Sequence, residues 1–382
     1  MNTSSAPRLA ALGLLLLSVI TATAQVDVTS KAKVRVSITP LAGAQGAAAT
    51  QVLTKDLVRT LLIDPVPASG AGFVVSGTAD ANGVTGQLTS GGQVLVSKTY
   101  SGDWRRATHE FADDITLATT GVAGFATSRV AFISSQTGQK ELYVMDIDGA
   151  NIKQLTQDKT ISNGPAWSHN GKMIAYTSYK SGYPDVYLIK LDAGTRTRIA
   201  FFPGINSGPS FSPDDSKIAL TLSKDGNPEI YVMPVTGGST DRLTRTRGAE
   251  TSPSWSNTGD QIVYSSDDRG APQLFVVPAN GGEPSKLSTG SAFNTEPCWS
   301  PDGKKIAYTL RQGGFQIGVY DVNERSGKTV STGSGEDPSW TRNSRHLVYA
   351  SSGSLYILDS VTKLSMRLEN GLKNCTEPAV GQ

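Results

Sequence analysis

An α/β N-terminal domain followed by a six-bladed β-propeller, mainly β overall, is the fold class this sequence predicts, on three observations. A unit running proline, any residue, aromatic, Ser or Thr, turn, apolar strand is headed by Pro165, Pro209, Pro253, Pro297 and Pro338, at spacings of 44, 44, 44 and 41 residues. That period suits one four-stranded propeller blade. A truncated copy, Thr376-Glu377-Pro378-Ala379-Val380, follows Pro338 by 40 residues. Upstream of Gly121 the apolar spacing instead switches between 2 and 3.6, the mark of strands covered by helices.

Taken in order, residues 1–24 read as a secretory signal, with Arg8 at the positive end, Leu9 to Ile20 apolar and Ala22-Thr23-Ala24 as the cleavage pattern. The mature chain is expected to begin at Gln25 and to hold no membrane-spanning stretch. Val34, Val36 and Ile38 alternate as a half-buried strand within Lys33 to Ile38, and Gln51 to Ile63 carries Val52, Leu53, Leu57, Leu61 and Leu62 at helical spacing. Phe73 to Ser76, Val84 to Leu88 and Val94 to Lys98 are three short strands. Trp104, Thr108, Phe111, Ile115 and Ala118 mark a second helix that stops before Gly121. Gly121 to Thr127 has the Gly/Ala composition of a connector that few contacts cross, giving domains at 25–125 and 126–382.

From Arg129 onward every segment is a strand. The cleanest copy, Pro297-Cys298-Trp299-Ser300-Pro301-Asp302-Gly303-Lys304-Lys305-Ile306-Ala307-Tyr308, is a hairpin about an Asp-Gly turn. Third and fourth strands recur as Glu141 to Asp146 with Gln154 to Thr156, Asp185 to Leu188, Glu229 to Val232 with Arg242 to Thr244, Gln273 to Val276 with Lys286 to Ser288, and Ser354 to Ile357 with Arg367-Leu368. The unit opening at Arg129 lacks its own Pro-x-Trp strand. The tail after Asn374 is therefore expected to complete it, so that five whole units and one split unit make six blades.

Lys plus Arg number 35 against 33 Asp plus Glu, a net charge of +2, so no strong field draws the chain to nucleic acid. Two cysteines, Cys298 and Cys375, are too few for a disulfide framework. Three histidines, His109, His169 and His346, show no paired spacing that would make a zinc site, and no cofactor is expected. Trp167, Phe211, Trp255, Trp299 and Trp340 hold one position in successive units and are expected to wedge blade against blade.

The residue before each proline varies: Gly164, Gly208, Ser252, Glu296, Asp337 and Glu377. These loops enter the innermost strands and crowd one mouth of the central channel, which Glu296, Asp337 and Glu377, with Glu250 and Glu336 nearby, should make partly acidic. One reading is a solvated rim, the other a docking surface for a cationic or hydrogen-bonding segment of another protein. No Gly-x-Ser-x-Gly elbow, phosphate loop or Cys/His nucleophile pair is present. An enzyme, a propeller-channel lyase or hydrolase acting on an envelope polymer, would have to use channel carboxylates such as Glu296 or Glu377.

The whole mature chain resembles the TolB family, periplasmic components of the Tol-Pal system of Gram-negative envelopes. The resemblance rests on the signal segment, the strand-helix domain ending in Thr120-Gly121-Val122-Ala123-Gly124-Phe125-Ala126-Thr127-Ser128-Arg129-Val130-Ala131, and the Pro-x-Trp-Ser-Pro-Asp-Gly-like blades. It implies a non-enzymatic periplasmic adaptor that maintains outer-membrane integrity and constriction during cell division. Its mouth would hold the peptidoglycan-associated lipoprotein, Pal, at Asn206, Gly208, Thr251, Thr295 and Glu296, with the acidic Glu250, Asp337 and Glu377 beside them. The segment Val26, Asp27, Val28 and Thr29 would reach TolA by strand addition, and other outer-membrane proteins are further implied partners.

Overall fold

The structure, a computed structural model, describes residues 32–381. The expected signal segment and Val26, Asp27, Val28 and Thr29 lie outside the described residues. Ahead of the propeller, five strands form one sheet, β1 (Val34–Ile38), β2 (Ile63–Pro65), β3 (Phe73–Asp80), β4 (Gly83–Ser90) and β5 (Gln93–Ser101). Their order is β2-β1-β3-β4-β5, with β1 parallel to both its neighbours and the rest antiparallel. Two helices, α1 (Gly46–Arg59) and α2 (Trp104–Thr120), place Leu53, Leu57, Phe111 and Ile115 in a core with Val36, Val75 and Leu88. Gly86 lies directly under Phe111, where a Cβ would stand 2.4 Å from the ring, so only glycine admits the helix this close. α2 starts on Asp103, whose carboxylate accepts from the amides of Arg105 and Arg106, and stops at Gly121 in the left-handed conformation.

The first helix departs from expectation. It begins at Gly46 and ends at Arg59, because Ala47-Ala48-Ala49 favour helix without adding to the apolar stripe from which the range 51–63 was read. Leu61 takes a positive φ of 61° and turns away from the helix, and Ile63 opens β2, a strand that three residues could not announce. β3 to β5 likewise run longer than expected: Ala79 and Tyr100 in the added ends are core residues that stand singly among Gly, Thr, Ser and Asp, too sparse an apolar signal to read as strand.

The rest of the chain makes six four-stranded sheets. Five are continuous in sequence, their innermost strands being Ser162–Trp167, Asn206–Phe211, Glu250–Trp255, Asn294–Trp299 and Glu336–Trp340. The sixth is split as expected: Cys375–Gly381 pairs with Arg129–Ser134, in the register Cys375 with Ser134, Thr376 with Ile133 and Ala379 with Ala131. Ser134 Oγ also donates to Lys373 O at 2.7 Å. The wedge residues are buried, and Trp167, Trp255 and Trp340 donate Nε1–H to Ala379 O, Ser210 O and Cys298 O of the preceding innermost strand at 3.0, 3.1 and 3.0 Å. Fourth strands slip by one residue from expectation, to Lys153–Gln154 and Asp241–Arg242. Thr156 and Thr244 leave the ladder because their hydroxyls accept the amides of Leu142 and Ile230. The outer strands of the unit headed by Pro297, Phe315–Asp321 and Ser326–Thr329, went unassigned from sequence. Gly318 there replaces the usual apolar residue, and a Cβ on it would meet Tyr308 at 2.4 Å. Cys298 and Cys375 are both free.

The connector at 121–127 is not a thinly contacted linker. Phe125 is buried with Leu61, Phe132, Tyr143 and Ile357, so the N-terminal domain is seated on the first and last blades. Asp113 accepts from Ala126 N at 2.6 Å, Thr127 Oγ1 at 2.9 Å and Arg342 at 2.5 Å, while Arg342 Nε donates to Gly124 O at 2.8 Å. Gly124 passes so near that a Cβ would lie 2.4 Å from Asp113 Cα. His346 is fully buried, and burial holds its imidazole down at about 4, so the neutral ring donates Nε2–H to Thr60 O at 2.6 Å. Removing the carboxylate strands Arg342 and the connector amides together. Asp113→Ala is therefore expected to cost about 3 kcal/mol and to open 121–127 to protease before global unfolding, as read by urea denaturation and limited proteolysis.

Candidate functional site

One feature recurs at the head of every innermost strand. The residue before the proline sits at a register shift in its strand pairing and has a positive φ: 56° at Gly164, 60° at Gly208, 54° at Ser252, 53° at Glu296, 54° at Asp337 and 52° at Glu377. The bulge swings these six residues onto the channel mouth. Left-handed backbone is natural for the two glycines and strained for the others. Glu, Asp and Glu stand here against the backbone's preference, which marks them as residues held for their side chains.

The mouth encloses about 180 Å³ and is divided in two. Glu296, Asp337 and Glu377 lie on three successive blades, and Gly164, Gly208 and Ser252 line the other half. At three of the junctions one blade grips the next through these residues. Glu377 Oε2 accepts from Gly164 N at 2.6 Å, Thr177 Oγ1 from Gly208 N at 3.3 Å, and Glu296 Oε2 from Thr309 Oγ1 at 2.6 Å and Asp337 N at 3.1 Å. Burial and then the charges of Glu296, Glu377 and Glu336 push the Asp337 carboxyl well above the ordinary carboxylate range. Burial and Glu296 raise Glu336 as well. The acidic half thus gathers carboxyl groups whose mutual repulsion and burial favour proton uptake over the ordinary carboxylate.

The structure brings Gly208, Glu296, Asp337 and Glu377 together at this mouth; Thr251 and Thr295 are half-buried one position earlier in their strands and are not among the residues that line it. Asn206 and Glu250, expected at the same surface, are instead fully buried one further residue back. Asn206 is a loop staple: its Nδ2 donates to Phe202 O at 2.8 Å and Pro184 O at 3.1 Å, and its Oδ1 accepts Phe202 N at 2.8 Å. In a β strand successive side chains alternate, and the bulge separates three positions that are consecutive in sequence.

Glu250 takes the equivalent place in the next blade. It accepts from Ser266 Oγ at 2.6 Å and Thr246 Oγ1 at 2.7 Å and faces Glu229, whose Oε2 has no other partner. Burial, reinforced by Glu229, pushes Glu250 up to about 7 from 4.5. With its folded value raised, the folded state binds the proton more tightly than the unfolded one. Stability from this group is complete below about pH 4.5 and is lost as pH climbs through 7. Glu250→Gln supplies a neutral donor at every pH, as Asn206 does next door. It is expected to match the parent near pH 5 and to exceed it at pH 8 by roughly 2 kcal/mol, read from urea midpoints at the two values.

Sequence reasoning missed an apolar margin on the same face. Ile161, Tyr179, Tyr183, Phe201 and Ile205 are exposed in the loops of the blades headed by Pro165 and Pro209, Tyr183 at 72% and Phe201 at 60%. Tyr179 N donates to Ile161 O at 3.0 Å, tying two of these loops together. The residues fall between strands and follow no periodicity, so only the three-dimensional arrangement gathers them. A mouth with carboxylates on one side and a large apolar margin on the other has the composition of a polypeptide docking surface. The channel's opposite end is lined by Trp167, Trp255, Trp299 and Trp340 with Arg342, whose Nε donates to Gly124 O of the connector.

A family described as the TolB beta propeller domain matches residues 117–382. The Tol-Pal system protein TolB of Geobacter sulfurreducens is 44% identical over 84 residues, 21% of this chain and 19% of that protein. A TolB homolog of Chlorobium chlorochromatii is 36% identical over 113 residues, 27% and 25% of the two chains. The matched stretches thus span only a fifth to a quarter of these curated relatives. Among solved structures, TolB from Acinetobacter baumannii superposes with a TM-score of 0.84 at 26% identity, over 92% of this chain and 97% of that one. A putative TolB from Agrobacterium tumefaciens, at 18% identity and a TM-score of 0.53, shares the fold.

Proposed function

The chain belongs to the TolB β-propeller family, and from that premise we propose that it is a periplasmic adaptor of a Tol-Pal envelope system. In this reading it binds Pal at the propeller mouth and TolA through Val26 to Thr29, and so supports outer-membrane integrity and constriction at division. The observation that carries the proposal is the ring of left-handed pre-proline residues, strained at its four non-glycine positions, which sets Glu296, Asp337 and Glu377 on one side of the channel entrance and small residues on the other. Strain of order 1–3 kcal/mol per residue persists where a binding surface has need of the side chain. The likeness to the Acinetobacter structure over nearly all of both chains supports the same reading.

The channel lyase or hydrolase is the less favoured reading. Glu296 and Glu377 hold the amides of Asp337 and Gly164, so the two carboxylates serve as inter-blade clamps rather than as an acid and base facing open space. No helix among the described residues is long and apolar enough to cross a membrane. The test is co-purification from envelope extract: wild type should retain Pal and TolA, and deletion of residues 26–29 should release TolA alone. Retention of neither partner, or turnover of an envelope polysaccharide by the purified protein, would overturn the adaptor reading.

A further inference from the structure

We propose that His109, Asp146 and Asp148 form a site for a divalent transition-metal ion of the Zn²⁺ type, bridging α2 to the first blade. His109 Nδ1 lies 2.6 Å from Asp56 Oδ2. That contact engages Nδ1 and leaves Nε2 as the ring nitrogen open to a ligand. The residue is 4% exposed, and Nε2 has no hydrogen-bond partner. Opposite it stand the carboxylates of Asp146, the last residue of the first blade's third strand, and Asp148, in the turn that follows. One ligand atom from each of the three residues lies within 4.8 Å of the others. A buried ring nitrogen without a partner and two carboxylates this close together offer three donor atoms that a single metal ion would hold.

Other features fit the same occupant. A carboxylate holding the far nitrogen of a ligating imidazole is the usual support of a metal-bound histidine, and Asp56 supplies it. One imidazole and two carboxylates are a donor set that Zn²⁺ accepts, with an open position left for water. A cavity of about 230 Å³, lined by His109, Asp146 and Ser128, adjoins the site and has room for that water. Ser128 Oγ is itself buried without a partner. The site escapes sequence reading because its histidine and its aspartates belong to different domains and share no local spacing.

Arg105 is the resident counter-charge. Its guanidinium contacts Asp148, and its Nε stands 4.0 Å from Asp146. It also lines the cavity, into which it swings when a metal ion takes its place. The competition gives the proposal a signature that a purely structural ion network lacks: removing Arg105 tightens metal binding.

The test uses untagged full-length mature protein, stripped with a chelator and titrated with ZnCl₂ by calorimetry and by thermal melting. One equivalent should bind and raise the melting temperature. Asp146→Asn, which alters a partly exposed residue and leaves the Asp56–His109 pair intact, should weaken binding at least about tenfold. Arg105→Gln should strengthen it, and His169→Ala, which removes a surface histidine elsewhere, should leave it unchanged. Absence of Zn²⁺-dependent heat and melting shift in both the parent and Arg105→Gln would overturn the proposal, as would binding that Asp146→Asn leaves untouched.

Discussion

Thr251→Arg and Glu296→Lys are each expected to weaken capture of Pal by about a hundredfold or more, near 3 kcal/mol, the scale on which central interface residues act. Thr251 is half-buried and adjoins Ser252, which lines the small-residue half of the mouth, so an arginine there is expected to crowd that half and the partner segment it would hold. Glu296→Lys acts differently. It replaces an acceptor by a cation inside a group that includes Asp337 and Glu377, and it also removes the oxygen that receives Thr309 Oγ1 and Asp337 N. The isosteric Glu296→Gln keeps an oxygen for those two donors and removes only the charge. Quantitative binding by calorimetry with purified Pal should therefore rank wild type above Gln and Gln above Lys, with melting temperatures showing that the ring is intact in all three. Equal affinities across the series would mean that the acidic half is only a clamp between blades, and docking at the mouth would have to be abandoned.

How much of this was legible in the sequence follows from what each signal measures. The 44-residue spacing of the prolines and the aromatic two residues on reports a repeated packing environment, and it located the blades, the wedges and the closing strand. Composition could not report which surface a glycine-rich stretch touches. Gly121 to Thr127 resembles a loose linker, yet Phe125 is buried between blades and Gly124 is small so that Asp113 can pass. The mouth shows the same limit at finer scale. Asn206, Ser207 and Gly208 are consecutive and all lie before a proline, but across the bulge the first is fully buried, the second half-buried and away from the mouth lining, and the third at the channel mouth. Glu250 and Glu296, both acidic and both near a repeat proline, differ by two positions in the unit. One is a buried proton carrier and the other a mouth carboxylate.

Deleting the chain after Asn374 is expected to abolish the cooperative fold of the propeller rather than merely weaken it. The segment Cys375–Gly381 is the innermost strand of its blade, so it is paired on one edge with Arg129–Ser134 and flanked on its faces by the neighbouring innermost strands. Its loss would expose a bare strand edge and the faces of two adjacent blades. It would also strip Trp167 Nε1 of Ala379 O, Gly164 N of Glu377 Oε2 and Val380 N of its acceptor Ser339 Oγ. Several net hydrogen bonds at roughly 1 kcal/mol each, with the apolar burial that accompanies them, match the 5–15 kcal/mol on which an entire domain rests. A blade cannot be stable alone, and in a closed ring each blade needs both neighbours. Point substitutions in other blades leave closure intact and should cost only their local contacts. The truncated protein should show no sharp thermal transition by calorimetry, and a synthetic peptide spanning residues 374–381, added in excess, should restore one whose midpoint rises with peptide concentration. A truncated chain that melts as sharply and at the same temperature as the parent would show that the ring does not depend on its closing strand.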